Sequence, residues 1–203
     1  MRIMAAPVRI LNIREKNKCG EIQVIDTTPN SKSWGRELSP SVLGPIPLYD
    51  EYVAQTVENA WQYSKVYKEF ANEHLHPTDE YFIWANNGWE SDLANRFPVG
   101  RKRVPLYSIW EGEKLDTIEA RKTIYAPVYS KAVVHTEAFN RLLSMYQKGE
   151  EFVLLDTDGY DYLAMNLTLQ DVMEDPERTM GHAFVLAMLL ESPALRKKYG
   201  GTR

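Results

Sequence analysis

The chain has 203 residues, of which 44% are hydrophobic, 26% charged and 11% aromatic, and its formal net charge is −4. These fractions are typical of a globular protein with a sizeable core, and they exclude disorder over most of the chain. The length predicts one domain with room for a small appendage, and the mildly acidic charge gives no general reason to expect a polyanionic partner.

The N-terminal segment is predicted to form a β-hairpin followed by a long loop. Apolar residues at 8–13 and 21–27 predict two strands, with a turn at Gly20 between them. Residues 28–47 include four prolines and two glycines, which predicts a long irregular loop. We therefore expect residues 1–35 to be a hairpin extension of the main domain.

The middle of the chain is predicted to be mainly helical. From residue 50 to 73 apolar side chains recur at helical spacing, which predicts one long helix with a buried stripe. A shorter helix is predicted after Pro77, with Thr78 as its N-cap. Residues 96–110 have an irregular pattern and several basic side chains, so we expect a basic loop there.

The C-terminal half is predicted to contain helices around one strand. Asp116 and Glu119 have the spacing of a capping box and predict the start of a helix. This helix should run to about residue 147, with a kink or a division at Pro127. Residues 151–155 predict a strand that opens into an acidic turn.

The remaining residues complete a predicted α+β fold. A brief helix at Thr168 and a second helix over residues 181–191 follow the acidic turn. Residues 193–203 form a basic tail, in which residues 196–203 are expected to fray. We expect residues 36–192 to form a mostly helical single domain. In it, a small antiparallel sheet joins the N-terminal strands to the strand at 151–155.

Several functional classes are disfavoured by missing residues. The single cysteine, Cys19, cannot form an intramolecular disulfide or a four-thiolate zinc site. The patterns HExxH and GxSxG are absent, which disfavours zinc and serine hydrolases, and His182 is expected to be a core or capping histidine. The longest apolar stretch is far shorter than the roughly 20 residues that span a bilayer, and the first residues lack the apolar region of a signal peptide. We therefore expect a soluble, cytoplasmic protein without a membrane partner or a metal.

Three polar residues of the predicted long helix share one face beside its apolar stripe. Glu58, Gln62 and Lys65 are spaced i, i+4 and i+7, which places them in one row. A carboxylate, an amide and an ammonium at the edge of a core can line the wall of a ligand pocket. The same spacing is also typical of the solvated flank of a helix, so both interpretations stay open.

Basic residues supply two candidate anion sites. Residues 99–103 combine a glycine, which allows close backbone approach, with Arg101, whose guanidinium is a two-pronged fork for phosphate. Arg121 falls on the inward stripe of a predicted helix, and a buried arginine needs an anionic partner. A structural carboxylate and a bound ligand are equally good candidates for that partner.

An acidic turn follows the predicted strand at 151–155. Asp156, Asp158 and Asp161 lie within six residues, but the turn lacks the glycine and glutamate positions of an EF-hand. Clustered carboxylates can supply a general base, because each raises the pKa of its neighbours. An ordinary aspartate-rich turn is the simpler interpretation.

The order of these motifs resembles the NADAR domain family. NADAR proteins begin with a serine–proline-rich loop and a helix of the form S/T-x-E-H-x-x-Q-x-x-K, and the matching segment here runs from Thr56 to Lys65. In the family a Gly-Arg turn, a tryptophan and a second helix follow. The corresponding residues here are Gly100-Arg101, Trp110 and Ala120-Arg121-Lys122. The resemblance covers about residues 38–191.

The chain departs from the NADAR pattern at three places. The family histidine after the glutamate is Asn59 here, the family W-G pair is Leu163-Ala164, and the glycine-rich asparagine loop is replaced by the acidic residues 171–177. The first change lies inside the helix that carries the resemblance most closely.

The resemblance implies N-glycosidase chemistry, on the bond between ribose C1 and the base of a nucleotide-like or ADP-ribosylated substrate. Loss of the base leaves an oxocarbenium-like ribosyl group, so the site needs a carboxylate that activates water and stabilises positive charge. Glu58 or Asp161 can take this role, and Lys65 or a tyrosine can donate to the leaving base.

Substrate binding in this interpretation uses basic and aromatic side chains. The predicted binding residues are Arg101 and Arg121 for phosphate, Trp110 and Trp61 for the base, together with Gln62 and Asp156. One-step hydrolysis requires no metal and no cofactor.

Two other function classes fit the same residues. The first is a non-catalytic module that binds a nucleotide or ADP-ribose in the same pocket. The second is a small interaction protein, in which the charged stripes are surface and the aromatic residues are core. For the N-glycosidase and for the non-catalytic module, the expected partner is a nucleotide-like or ADP-ribosylated small molecule. Nucleic acid is expected as a partner only if it carries a modified base that is the substrate.

Overall fold

The computed structural model describes residues 6–200 and shows an α+β chain, as predicted. By its internal contacts this part of the chain divides into two units, a first unit of residues 6–39 with 129–200 and a second unit of residues 40–128. Both units contain strands as well as helices. Among residues 6–200, no helix has both the length and the apolarity that a membrane span requires.

Short strands and helices of moderate length make up both units. The strands are β1 (Arg9–Asn12), β2 (Gln23–Asp26), β3 (Ile46–Pro47), β4 (Val53–Ala54), β5 (Lys65–Val66), β6 (Tyr107–Trp110), β7 (Glu113–Leu115) and β8 (Phe152–Asp156). The α-helices are α1 (Val57–Gln62), α2 (Asp79–Glu90), α3 (Thr117–Ala120), α4 (Ala126–Val133), α5 (Glu137–Gln147), α6 (Leu169–Glu174), α7 (His182–Glu191) and α8 (Pro193–Tyr199). Three 3₁₀-helical segments (Ile13–Cys19, Trp34–Leu38, Lys68–Phe70) and one π-helical turn (Arg121–Tyr125) complete the regular structure.

The sheet of the first unit is parallel, with β8 between β1 and β2. The prediction of an N-terminal hairpin joined antiparallel to β8 is therefore wrong, and its residues 1–5 lie outside the described part. A 3₁₀ helix, Ile13–Cys19, takes the place of the tight turn that a hairpin needs. All five residues of β8 are buried, which is typical of a strand that is paired on both edges and covered on both faces.

The C-terminal end of the first unit is helical. The predicted helix over residues 181–191 is confirmed by α7, eight of whose ten residues are buried. The expected fraying of residues 196–203 is wrong for the residues that belong to α8, and residues 201–203 lie outside the described part. The hydroxyl of Ser192 caps α8 and Pro193 occupies its first position, so this helix has a start signal that the basic composition of the tail obscured.

The predicted long helix over residues 50–73 is wrong. Only α1 is α-helical there, and it lies between β4 and β5. Thr56 starts α1, because its hydroxyl accepts a hydrogen bond from the N–H of Asn59 at 3.1 Å, and the helix ends at Tyr63. Several short elements bury the apolar residues that recur at helical spacing in this segment. Only six of its residues form the helix.

Two predicted helix starts in the second unit are confirmed. The helix α2 begins directly after Thr78. Asp116 and Glu119 form both hydrogen bonds of a capping box at the start of α3. The predicted loop at 96–110 ends in β6, which pairs antiparallel with β5 and β7, so antiparallel pairing occurs in this unit.

The predicted effect of Pro127 is only partly right. The helical segment divides at residues 134–136, where Thr136 caps α5, and not at the proline. The distortion that we attribute to Pro127 precedes it, as the π-helical turn Arg121–Tyr125. A proline has no N–H to donate back along the helix, so the preceding turn loses its regular bonding.

Candidate functional site

Glu58, Gln62 and Lys65 form a continuous hydrogen-bonded chain in the second unit. The amide nitrogen of Gln62 donates to Oε1 of Glu58 at 2.8 Å, and Nζ of Lys65 donates to Oε1 of Gln62 at 2.7 Å. Glu58 and Gln62 are buried, with exposed fractions of 9% and 7%, and Lys65 is half-buried. We call these three residues the Glu58–Lys65 chain. Their predicted proximity is confirmed, although Lys65 reaches Gln62 from β5 and not from the same helix.

The amide of Gln62 has one orientation that satisfies both neighbours. A carboxylate only accepts hydrogen bonds and an ammonium only donates them, so the amide nitrogen faces Glu58 and the amide oxygen faces Lys65. The amide therefore links a negative and a positive side chain, and it aligns its own dipole between them. Such a network is electrostatically stronger in a buried setting than in water.

The loop before α1 holds Glu58 by its backbone. The N–H of Glu58 donates to the carbonyl of Pro40 at 2.9 Å, and the N–H of Val57 donates to the carbonyl of Leu43 at 2.9 Å. The first turn of a helix has N–H groups without partners inside the helix, and these loop carbonyls satisfy two of them. The proline-rich loop thus sets the position of the buried carboxylate.

Asn59, at the position where the NADAR pattern has a histidine, is a structural anchor. Its side chain is fully buried, and its Nδ2 donates to the carbonyls of Ser91 at 2.9 Å and Leu93 at 3.0 Å. Its Oδ1 accepts from the N–H of Asn95 at 2.9 Å. The sequence analysis missed this role, because the partners lie 32 to 36 residues away along the chain.

Trp61 borders the charged end of the Glu58–Lys65 chain. Nζ of Lys65 lies 4.4 Å from the centre of the Trp61 ring, a cation–π distance, and Tyr125 packs beside that ring at 5.1 Å between centroids. Trp61 is half-buried. Trp110, in contrast, is buried and packs edge to face on Tyr49 at 4.8 Å, so its contacts are those of a core residue.

The predicted anion residues differ in exposure. Arg101 is exposed, and its guanidinium lies 5.5 Å from the ring of Phe97. Arg103 of the same loop forms an ion pair with Glu69. Arg121 is 5% exposed in the π-helical turn, which confirms its predicted inward position.

Asp156, the last residue of β8, belongs to the first unit, where its carboxylate binds the first turn of α7. Its carboxylate accepts from the N–H of Ala183 and from the N–H of Asp158, each at 3.0 Å, and lies 3.1 Å from Nδ1 of His182. A Cβ on Gly181 would approach Oδ2 of Asp156 to 2.1 Å, so this close contact requires glycine. The interpretation of His182 as a core histidine is confirmed, because the residue is buried and its Nε2 lies 3.0 Å from the carbonyl of Thr27.

Asp161, the alternative catalytic carboxylate, is paired within the first unit. Its Oδ2 accepts from Nη2 of Arg9 at 2.8 Å and from Nε at 3.0 Å, and its Oδ1 accepts from the N–H of Ala164 at 3.2 Å. These contacts join the acidic turn to β1. They give Asp161 a structural role, and its predicted catalytic role stays a prediction.

Comparison with known proteins finds no family profile and no curated sequence that match this chain. Within residues 6–200, no three His, Cys, Asp or Glu side chains are grouped as ligands for a metal ion.

Proposed function

We propose that this protein is an N-glycosidase that hydrolyses the ribose–base bond of a nucleotide-like or ADP-ribosylated substrate. The observation that carries the proposal is the Glu58–Lys65 chain, in which a buried carboxylate and a cation are linked through one amide. The resemblance of residues 56–65 to the NADAR helix supports the same assignment.

Glu58 supplies the carboxylate that this reaction needs. As the bond from C1 to the base breaks, positive charge develops on the ribose, and a buried carboxylate stabilises it more strongly than a solvated one. Glu58 then accepts a proton from the attacking water, whose oxygen bonds to C1. Its hydrogen bond from Gln62 holds it in position and leaves its charge in place, because the amide is neutral.

Lys65 and Trp61 act on the departing base. The Lys65 ammonium donates a proton to the base nitrogen as the bond to C1 breaks, so one water is added across the bond in total. Trp61 offers an aromatic surface for the base next to that ammonium. Arg101, exposed on its loop, holds a phosphate of the substrate, and Arg121 remains a second proposed phosphate ligand.

A screen for release of free base tests the proposal. Nicotinamide mononucleotide, ADP-ribose derivatives and ADP-ribosylated bases are incubated with the protein, and the free base is measured by chromatography. The hydrolase is supported if the wild type releases free base and the Glu58→Gln variant does not. The Glu51→Gln variant, which changes an exposed carboxylate of the same unit, is the matched control.

The same screen separates the hydrolase from a binding module. A nucleotide that binds in calorimetry without any release of base favours the non-catalytic module. If no compound binds and none is hydrolysed, the small interaction protein is favoured instead.

A further inference from the structure

A cavity of about 380 Å³ opens in the first unit, at the edge where the parallel strands begin. Both β1 and β2 run parallel to β8, so the starts of all three strands share one edge of the sheet. The apolar wall of the cavity consists of Pro7, Val8, Ile22, Phe152, Val153 and Leu163. None of the residues assigned above to the N-glycosidase lines this cavity, so it is a separate feature of the molecule.

Two glutamates at the cavity are held by a well-defined helix end. The N–H of Gly149 donates to the carbonyl of Tyr146 and the N–H of Glu150 donates to the carbonyl of Met145, both at 3.1 Å. These two bonds form a Schellman motif at the end of α5, and Gly149 has the positive φ of 73° that the motif requires. The motif places Glu150 and Glu151 among the residues that line the cavity.

The charge at the cavity is negative. Arg9 also lines it, but its guanidinium donates two hydrogen bonds to Oδ2 of Asp161, at 2.8 and 3.0 Å, so an anion already compensates its charge. Glu150 and Glu151, both exposed, are the two acidic residues among those that line it. The hydroxyl of Tyr146 adds a polar group that is protonated at neutral pH, as an ordinary phenol is, and burial raises its pKa further.

We propose that this cavity binds a small organic cation, an ammonium or amidinium group on an aryl or branched-alkyl body. The volume lies within the usual range for small-molecule sites, which have apolar walls and a few polar groups that fix orientation. The apolar body contacts Val8, Phe152 and Leu163, and the cation lies against the carboxylates of Glu150 and Glu151. The cavity thus combines hydrophobic burial with charge-assisted hydrogen bonds.

A titration with three matched probes tests this assignment on the full chain. The probes are phenethylammonium, the neutral 2-phenylethanol and the anionic 3-phenylpropionate, and the readout is the shift of backbone amide signals in NMR spectra. We expect phenethylammonium to shift the amides of Val8, Phe152 and Leu163, with at least a roughly tenfold higher affinity than the alcohol. The affinity for phenethylammonium should fall as salt is added, because Glu150 and Glu151 are exposed.

Variants test whether Glu150 and Glu151 cause the preference for a cation. The double variant Glu150→Gln/Glu151→Gln should lose the preference for the cation, whereas Glu177→Gln, an exposed carboxylate that does not line the cavity, should keep it. Equal binding of alcohol and cation overturns the proposal, as does binding of the cation whose shifts fall elsewhere, or no binding of the cation at millimolar concentration. If the double variant fails to fold, the comparison of the three probes on the wild type still decides the proposal.

Discussion

Gln62 donates a hydrogen bond to Glu58 across one turn of α1, at 2.8 Å, and this contact defines the environment of the only buried carboxylate on that helix. The same amide accepts from Lys65 at 2.7 Å. Removing any member of this chain therefore leaves another member without its partner.

Truncation of Gln62 should destabilise the protein. The Gln62→Ala variant leaves the buried Glu58 carboxylate without its hydrogen bond, which costs about 1–3 kcal/mol of the free energy of unfolding. Urea denaturation at neutral pH measures the loss. The Gln147→Ala variant, at an exposed position near the end of α5, is the control and should change the free energy by less than about 0.5 kcal/mol. Equal stability of the two variants would show that the chain contributes nothing to folding.

Asn59 should be important for stability and not for proton transfer. The Asn59→Ala variant removes three hydrogen bonds from a fully buried side chain to the backbone of residues 91–95, and we expect a loss of about 2–4 kcal/mol in the free energy of unfolding. The control is Asn140→Ala on the exposed side of α5, where alanine favours the helix. Amide hydrogen exchange of residues 91–95 should accelerate in the Asn59 variant. Unchanged exchange there would contradict the anchoring role.

Arg101 should contribute to binding of a phosphorylated ligand. A guanidinium that is exposed and free to form a fork on phosphate is typically worth about 1.5–3 kcal/mol, so Arg101→Ala should weaken binding of ADP-ribose roughly tenfold or more. Calorimetry at two salt concentrations measures it. Arg103→Ala is the matched control, because the ion pair with Glu69 occupies that guanidinium. An affinity that is insensitive to both Arg101→Ala and salt would remove the loop from the site.

The stability of the protein should fall at high pH through the half-buried phenol of Tyr49. Burial, with Tyr52, Asp50 and Glu111 adding to it, raises the pKa of Tyr49 from 10.0 to about 12. The unfolded chain loses this proton near pH 10, whereas the folded chain keeps it, so ionisation favours unfolding. The contribution of the protonated Tyr49 phenol to the free energy of unfolding is complete below pH 10 and is lost as the pH rises through about 12.

The Tyr49→Phe variant isolates this effect. Its free energy of unfolding, measured in urea at pH 8 and pH 11, should fall less over this interval than that of the wild type. Parallel pH profiles of the two proteins would show that Tyr49 does not contribute to the loss.

Local signals in the sequence predicted the elements that they directly encode. The capping box of Asp116 and Glu119, the start of α2 after Thr78 and the buried position of Arg121 all follow from side chains a few residues apart. The spacing of Glu58 and Gln62 likewise predicted a contact that the short helix α1 provides. These features depend on backbone geometry over one turn, so a single sequence is sufficient to predict them.

Features that depend on long-range pairing could not be predicted in the same way. The placement of β8 between β1 and β2 joins residues more than 120 positions apart, and the hairpin predicted from Gly20 is the local alternative that it displaced. Helical spacing across residues 50–73 arose because several short elements bury their apolar side chains. The contacts of Asp161 with Arg9 depend on the same long-range sheet.

The kinetics of the Glu58→Gln variant show whether the Glu58 carboxylate stabilises a transition state. The substitution keeps the shape of the side chain and removes its charge. On the best substrate from the release screen, turnover should fall about 10²–10⁴-fold while the dissociation constant and the free energy of unfolding change little. Asp161→Asn is the comparison, and it should keep most of its turnover. Full activity of Glu58→Gln together with an inactive but folded Asp161→Asn would contradict the account and assign the reaction to Asp161.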